Sequence, residues 1–283
     1  MKQVLLIGET CIDEFIYGSV DRISQESPCP IFLSNGDKKT TEGMCTNVKN
    51  NVNQLSDDLI VDIVTNTSPI IKRRLIDTRH NVMVYRMDES DTASRIDISL
   101  ISNADKYDAV IVSDYNKGFL LDEDLSSIGS LFQCPKFIDT KKIISQKWSF
   151  KFDFIKINSG ELFANISSHG SLGALSSICH NIISTKSEQG AVLYSSENYS
   201  DKQTTSFEGY KTEVAHVSGA GDTFLASLVV RFLETNDIEE SIDFANQCAS
   251  IAVSKENVSL VSRKEADNFR RSHKNITTGK PVF

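Results

Sequence analysis

The sequence predicts an α/β protein whose central sheet is doubly wound and mostly parallel, flanked by helices, with a small β element outside it. Three observations carry this expectation. Short apolar runs at residues 4–7, 59–64, 109–112, 137–138, 154–157 and 182–185 are of strand length and rich in Val and Ile, as strands buried on both faces are. Apolar residues recur at helical spacing in Val48, Val52 and Leu55, in Phe224, Leu225, Leu228, Val229 and Phe232, and in Ile242, Ala245, Ala249 and Val253. Polar segments follow several of the strands, at the edge where open α/β sheets gather ligand groups.

Composition narrows the class. A chain of 283 residues, 40% of them hydrophobic, has enough apolar mass for one large α/β unit with an accessory element, so residues 1–283 are expected to form a single domain. The formal charge of −8 weighs against nonspecific nucleic-acid binding. Its six cysteines include no CxxC pair, which favours reduced thiols in a cytoplasmic protein over a disulfide scaffold. The apolar run at 4–7 is too short for a signal peptide or a membrane span, and no long apolar segment follows, so no membrane association is expected. Neither GxxxxGK[ST] nor HExxH occurs, which disfavours P-loop kinases and zinc enzymes.

In chain order, Gly8 ends the first strand and Asp13 follows, as either a ligand-facing residue or a loop cap. Short apolar runs broken by Gly18, Pro28 and Pro30 suggest strands outside the main sheet. Gly43 and Asn47 lead into the helix of Val48. After the strand at 59–64 only a few residues precede Pro69, and then Lys72, Arg73, Arg74, Arg79 and Arg86 crowd one segment. Such a segment is either a phosphate grip or a solvated, aggregation-resistant strand. Asp114 and Lys117 stand at the edge of the strand at 109–112. Asn158 and Glu161 have the spacing of an Asx turn closed by a Glu cap. Thr185, Lys186 and Gly190 follow the strand at 182–185, a hairpin with its turn near 197–199 comes next, and Asp237 with Glu240 caps a later helix. Residues 270–283 lack a core pattern and are expected to form a peripheral tail.

The stretch His216-Val217-Ser218-Gly219-Ala220-Gly221-Asp222-Thr223-Phe224 organises the rest. Two glycines and a serine precede a helical apolar run, so a turn rich in free N–H groups feeds a helix N-terminus, and such a place binds anions. Asp222 beside it can take the proton of an acceptor hydroxyl while the amides of Gly219, Ala220 and Gly221 meet charge on a phosphoryl group. A glycine turn with an Asp helix cap is the plainer alternative.

Ser218-Gly219-Ala220-Gly221-Asp222 resembles the signature of the ribokinase-like family of sugar kinases, usually Thr-x-Gly-Ala-Gly-Asp. Gly8-Glu9-Thr10-Cys11-Ile12-Asp13, Arg22-Ile23-Ser24-Gln25-Glu26-Ser27-Pro28-Cys29-Pro30 and Ser113-Asp114-Tyr115-Asn116-Lys117-Gly118 resemble, within that family, the heptose kinases. The resemblance implies a ribokinase-like fold with a β-lid from about 15–34 and 72–88, and a homodimer formed through the lid. It implies ATP and Mg²⁺ as cofactors, with a monovalent cation left open. Asp222 becomes the base, and Gly219, Ala220 and Gly221 the anion hole. Asp13, Arg22, Gly43, Asn47, Arg86, Asp114 and Lys117 fall to the acceptor. Asn158, Glu161, Thr185, Lys186, Gly190, Gly219, Gly221, Lys255 and Asn257 fall to the nucleotide, with Asn158 and Glu161 reaching the metal through water.

Three departures stand out: Glu42 in place of a glycine before Gly43, a missing helix after the strand at 59–64, and His216-Val217 in place of Asp-Thr. Glu42 would be strained in a left-handed turn, and the lost helix leaves a sheet face or edge for a partner subunit or a rearranged lid to cover. The implied reaction converts D-glycero-D-manno-heptose 7-phosphate to the 1,7-bisphosphate. The nucleotidyltransferase part of the bifunctional heptose enzymes has no counterpart here, so the kinase alone is expected. Another sugar kinase and a catalytically silent sugar-phosphate-binding protein remain the alternatives.

Overall fold

The structure is a computed structural model that describes residues 1–195, 204–255 and 259–274. Its frame is a strand, β1 (Lys2–Gly8), in which Val4 and Leu6 point into one core while Leu5 and Ile7 point into another. A period of two with both faces apolar can be satisfied only in the middle of a covered sheet. On its flanks lie β4 (Leu59–Val64) and β7 (Ala109–Asp114), both parallel to it, and the sheet continues through β8 (Lys136–Thr140), β9 (Phe154–Asn158) and β10 (Asn181–Thr185). Two antiparallel strands, β11 (Ala191–Ser195) and β12 (Thr205–Phe207), close that margin. The order is β12-β11-β10-β9-β8-β7-β1-β4.

Helices cover both faces. Val48, Val52 and Leu55 of α1 (Cys45–Leu55) join Phe224, Leu228 and Val229 of α5 (Ala220–Thr235) and Ile242, Ala245 and Cys248 of α6 (Ile238–Val253) over Val4 and Leu6. The other face carries α2 (Asp122–Leu131), α3 (Ser159–His169) and α4 (Leu172–Ser176), with Trp148 and Phe152 buried among them. Asp237 caps α6 by accepting from the amides of Glu239 and Glu240.

A second sheet, ordered β3-β2-β5-β6, is made of β2 (Thr10–Ile23), β3 (Pro30–Met44), β5 (Ile70–Asp77) and β6 (Val82–Glu89). The segments expected as a lid lie in it, but its strands run beyond 15–34 and 72–88: β2 starts two residues after β1 and β3 ends directly at α1. The β2–β3 register sets Cys11 opposite Gly43 and Asp13 opposite Thr41, close to where both strands meet the main sheet.

The short passage from β4 to β5 contains no helix. Part of the cover it leaves out comes from within the chain. Ile98, Ile101, Ala104 and Tyr107 pack on the core beside Val64, and both Lys106 Nζ and Tyr107 Oη donate to Asp62 of β4, at 2.7 and 2.9 Å. β4 itself remains a sheet margin, with Ile60 exposed. Glu42 is extended in β3 and so avoids a left-handed turn; the left-handed residue is Met44 (φ 56), at the cap of α1. One expectation needs correction. The chain past 270 does not start as a tail, because α7 (Arg263–Lys274) continues through it. Among the described residues no helix is long and apolar enough to cross a membrane.

Candidate active site

The strands of the main sheet end beside the glycine turn. Gly219 adopts φ 83, a conformation only glycine takes without strain, and turns the chain into α5. His216 supports this turn from outside, its Nδ1 accepting from the Ser218 amide at 3.3 Å. Gly219, Ala220, Gly221 and Asp222, at the start of α5, line a cavity of about 1070 Å³, with the Ala220 amide donating to the Val217 carbonyl at 3.4 Å. Asn158, Thr185 and Gly190 line the same cavity. Gly190 is at φ 87, and a Cβ there would stand 2.1 Å from the Phe207 carbonyl oxygen, so glycine lets the chain after β12 approach this loop closely.

Asp222 is 5% exposed, and both its oxygens are held. Asn47 Nδ2 donates to Oδ2 at 2.8 Å and Tyr115 Oη donates to Oδ1 at 2.6 Å. Asn47 is aimed by its neighbours: Asn51 Nδ2 donates to its Oδ1 at 3.3 Å, and Thr223 Oγ1 donates to Asn51 Oδ1 at 3.1 Å. Tyr115 is placed by Glu9, a buried carboxylate at the end of β1 that accepts from the amides of Tyr115 and Lys117. Burial pushes the Asp222 carboxyl above its ordinary range, while Asn47 and Tyr115 pull the other way. Burial and the neighbouring Asp222 push the Tyr115 phenol well above 10, so it stays a donor.

On the lid side of this wall, Asp13 is nearly buried and paired with Arg74 Nη1. A Cβ on Gly43 would stand 2.5 Å from Asp13 Oδ2, so the glycine makes room for that carboxylate. The buried Cys11 thiol reports how closely these groups gather. Burial, Asp13 and Asp222 push it up to about 12, and Lys72 and Arg74 act in the opposite sense. Lys72 Nζ lies 5.6 Å from the Tyr115 ring centroid, and Lys141 Nζ, on the cavity side, 5.8 Å.

Asp13, Gly43, Asn47 and Asp222 thus come together, with the glycine turn, Asn158, Thr185 and Gly190 opposite them. Other expected residues do not join. Asp114 is buried and consumed, accepting from Thr140 Oγ1 at 2.6 Å and pairing with Lys142 at 2.7 Å. Lys117 is turned to Asp91. Arg22 sits in the exposed outer part of β2, at 3.3 Å per residue roughly 30 Å along the strand from Asp13. Arg86 is held by Asp88 through two hydrogen bonds of 2.7 and 2.8 Å. Lys255 points to Glu265 and the Leu260 carbonyl. Lys186 gives its amide to the Gly190 carbonyl at 2.7 Å, closing the loop beside the cavity. Asn257 and the hairpin turn at 197–199 lie outside the described residues.

Asn158 and Glu161 form a reciprocal cap on α3. Asn158 Oδ1 accepts from the Glu161 amide at 2.9 Å and Glu161 Oε2 from the Asn158 amide at 2.7 Å, while Lys141 takes Oε1. Both carboxylate oxygens being engaged, this pair suits a hydrated hard cation better than one needing direct protein ligands. Among the described residues no group of three His, Cys, Asp or Glu side chains is placed to hold a metal.

Sequence reasoning passed over Tyr115, Glu9, Asp139, Lys141 and Lys156, all in or against the site. Tyr115 and Glu9 stood inside quoted motifs. Lys156 carried its own signal, a charge between Ile155 and Ile157 in a run that otherwise reads as fully buried.

A mostly parallel α/β sheet ending beside a glycine turn, a buried carboxylate at the following helix and a second, smaller sheet fit a phosphotransferase for small hydroxylated acceptors. The profile of the pfkB family carbohydrate kinases matches residues 63–265, and the chain belongs to that family; it is an ATP-dependent carbohydrate kinase. The bifunctional protein HldE of Sulfurimonas denitrificans is 27% identical over 97% of the chain, that of Aliarcobacter butzleri 29% over 89%, and that of Helicobacter pylori strain J99 27% over 94%. The chain spans 61% to 66% of the length of these relatives. The fold is ribokinase-like. Ribokinase from Thermotoga maritima superimposes with a TM-score of 0.76 at 14% identity, covering 96% of this chain and all of its own. Arabidopsis thaliana ribokinase complexed with ribose and ATP gives 0.69 at 13%, covering 95% and 98%.

Proposed function

We propose that the chain transfers the terminal phosphoryl group of ATP to D-glycero-D-manno-heptose 7-phosphate, giving the 1,7-bisphosphate. The observation that carries the transfer chemistry is Asp222, fixed by Asn47 and Tyr115 between the glycine-lined cavity and the lid residues around Asp13. On this reading Asp222 takes the proton of the acceptor hydroxyl, and the amides of Gly219, Ala220 and Gly221 meet the charge on the phosphoryl oxygens. Asp13 and Asn47 hold sugar hydroxyls. Thr185 and Gly190 border the nucleotide, and Asn158 with Glu161 holds hydrated Mg²⁺, which neutralises the donor phosphates when bound. The heptose itself rests on the likeness of the 8–13, 22–30 and 113–118 segments to heptose kinases and on Lys72, the register partner of Asp13, which forms no ion pair among the described residues.

A kinase assay over matched phosphorylated and unphosphorylated sugars, with products identified by mass, tests this. Heptose 7-phosphate is expected to be used with much higher kcat/KM than the free heptose. Equal efficiency on the two would remove the role of the acceptor phosphate, and preference for a neutral hexose would move the chain to another sugar.

A further inference from the structure

A buried cation stands beneath the glycine turn. Lys156 of β9 is 4% exposed, with Nζ 2.7 Å from Asp139 Oδ2 of β8 and 3.1 Å from the point that a Cβ on Gly221 would occupy. Both residues line the cavity together with Gly219, Ala220, Gly221 and Asp222. Asp139 is 8% exposed and spends only one oxygen: Oδ1 is buried with no hydrogen-bond partner among the described residues.

Stability does not explain this pair. Taking two charges out of water costs more than their attraction returns unless every remaining acceptor is satisfied, and an apolar pair of similar volume in the same strands would serve at least as well. An incompletely satisfied ion pair facing a cavity is therefore a place where a ligand is expected. An ammonium has three donors, of which Asp139 Oδ2 takes one. Glycine at 221 leaves the path from Nζ to the first turn of α5 open, where a larger residue would stand in it.

We propose that Lys156 is a catalytic residue that donates to the oxygens of the phosphoryl group in flight, from beneath the glycine turn, and that Asp139 is the positioning residue that aims it. The proposal rests on the kinase reading and is independent of which sugar accepts. The acceptor oxygen bonds to the terminal phosphorus as the bond to the ADP oxygen breaks, and the hydroxyl proton passes to Asp222. Lys156 contributes hydrogen bonds and takes no part in that proton transfer. Its charge also favours the ionised form of Asp222, as a base requires.

The test uses Lys156→Met and, because that change strands Asp139 without its partner, the double variant Lys156→Met/Asp139→Leu, which removes both charges. Calorimetry compares ADP alone with ADP plus aluminium fluoride, a mimic of the phosphoryl group in flight, both with magnesium; turnover is read with the best acceptor of the sugar panel. In whichever variant folds, ADP affinity is expected to stay within about threefold. The tightening by aluminium fluoride and kcat are each expected to fall by at least about a hundredfold, with KM for the sugar little changed. Lys156→Arg should recover part of the kcat. A folded variant lacking Lys156 that keeps both kcat and the aluminium fluoride tightening within about fivefold of the parent overturns the proposal. Failure of the heptose assignment leaves the calorimetric comparison intact, so the two ideas fail separately.

Discussion

Replacing Asp222 by Asn separates the two properties that the site gives this residue. The carboxylate accepts from Asn47 at 2.8 Å and from Tyr115 at 2.6 Å on different oxygens. An amide has one oxygen, so its NH₂ group must face one of these donors, and a buried donor left unpaired costs about 1–3 kcal/mol. Opposing this is the relief of burying a charge. Because burial raises the Asp222 pKa, the native state holds its proton more tightly than the unfolded chain does. Native stability therefore falls as pH rises from the ordinary carboxylate value through the raised one, and the amide is free of that loss. The two effects oppose each other, and the melting temperature near neutral pH is expected to move little. Turnover should not be spared. General-base catalysis contributes about 10²–10⁴, or about 2.7–5.5 kcal/mol of barrier. Steady-state turnover and calorimetric ATP affinity, measured on one folded preparation, should show at least a hundredfold loss of kcat with ATP affinity within about threefold. Asp222→Ala, which has no misdirected donor, should lose as much. Turnover within tenfold of the parent in either folded variant refutes the base assignment.

Two further outcomes follow from the same geometry. Tyr115→Phe keeps the ring but removes a hydrogen bond that favours ionised Asp222, so the acid limb of the kcat/KM profile should move to higher pH; a limb that stays in place would detach Tyr115 from the base. The outer strand β6 leaves Val82, Met83, Tyr85 and Met87 36–60% exposed, so light scattering over a wide concentration range should report a homodimer joined through this sheet, and a strictly monomeric, fully active protein would refute it.

The fold was legible where pattern and burial agree. The strands at 4–7, 109–112 and 154–157 are apolar on both faces because they lie inside a covered sheet, and no other arrangement of such runs satisfies their backbone and side chains together. The glycine turn was legible for a local reason, since only glycine reaches φ 83 at position 219 without strain. What escaped was pairing. Asp114 and Lys117 sit at a strand edge, as a ligand residue should, but Lys142 and Asp91 reach them from segments whose approach depends on tertiary packing. Asn158 and Glu161 escaped differently: the capping geometry and a water-bridged metal role use the same two side chains at the same spacing, so the sequence alone does not divide them.

The lid carries the same lesson into the choice of acceptor. Lys72, Arg73, Arg74, Arg79 and Arg86 read in sequence as a reserve of positive charge, yet most of it is already answered. Arg73 meets Glu14 and Glu89, Arg74 meets Asp13, Arg79 meets Asp21 and Arg86 meets Asp88. An acceptor phosphate must therefore exchange with a carboxylate or find a cation that has none. Arg74 is the least exchangeable, since its pair with Asp13 is nearly buried and parting it would strand the carboxylate proposed to hold the sugar. Arg86 exchanges more readily, because it and Asp88 are well exposed to solvent and such pairs contribute about 0–1 kcal/mol. Lys72 forms no ion pair among the described residues and already stands over Tyr115. On the heptose 7-phosphate reading, the phosphate then meets Lys72 first and draws the Arg86 fork from Asp88 second, while Arg74 stays behind to keep Asp13 aimed at the sugar.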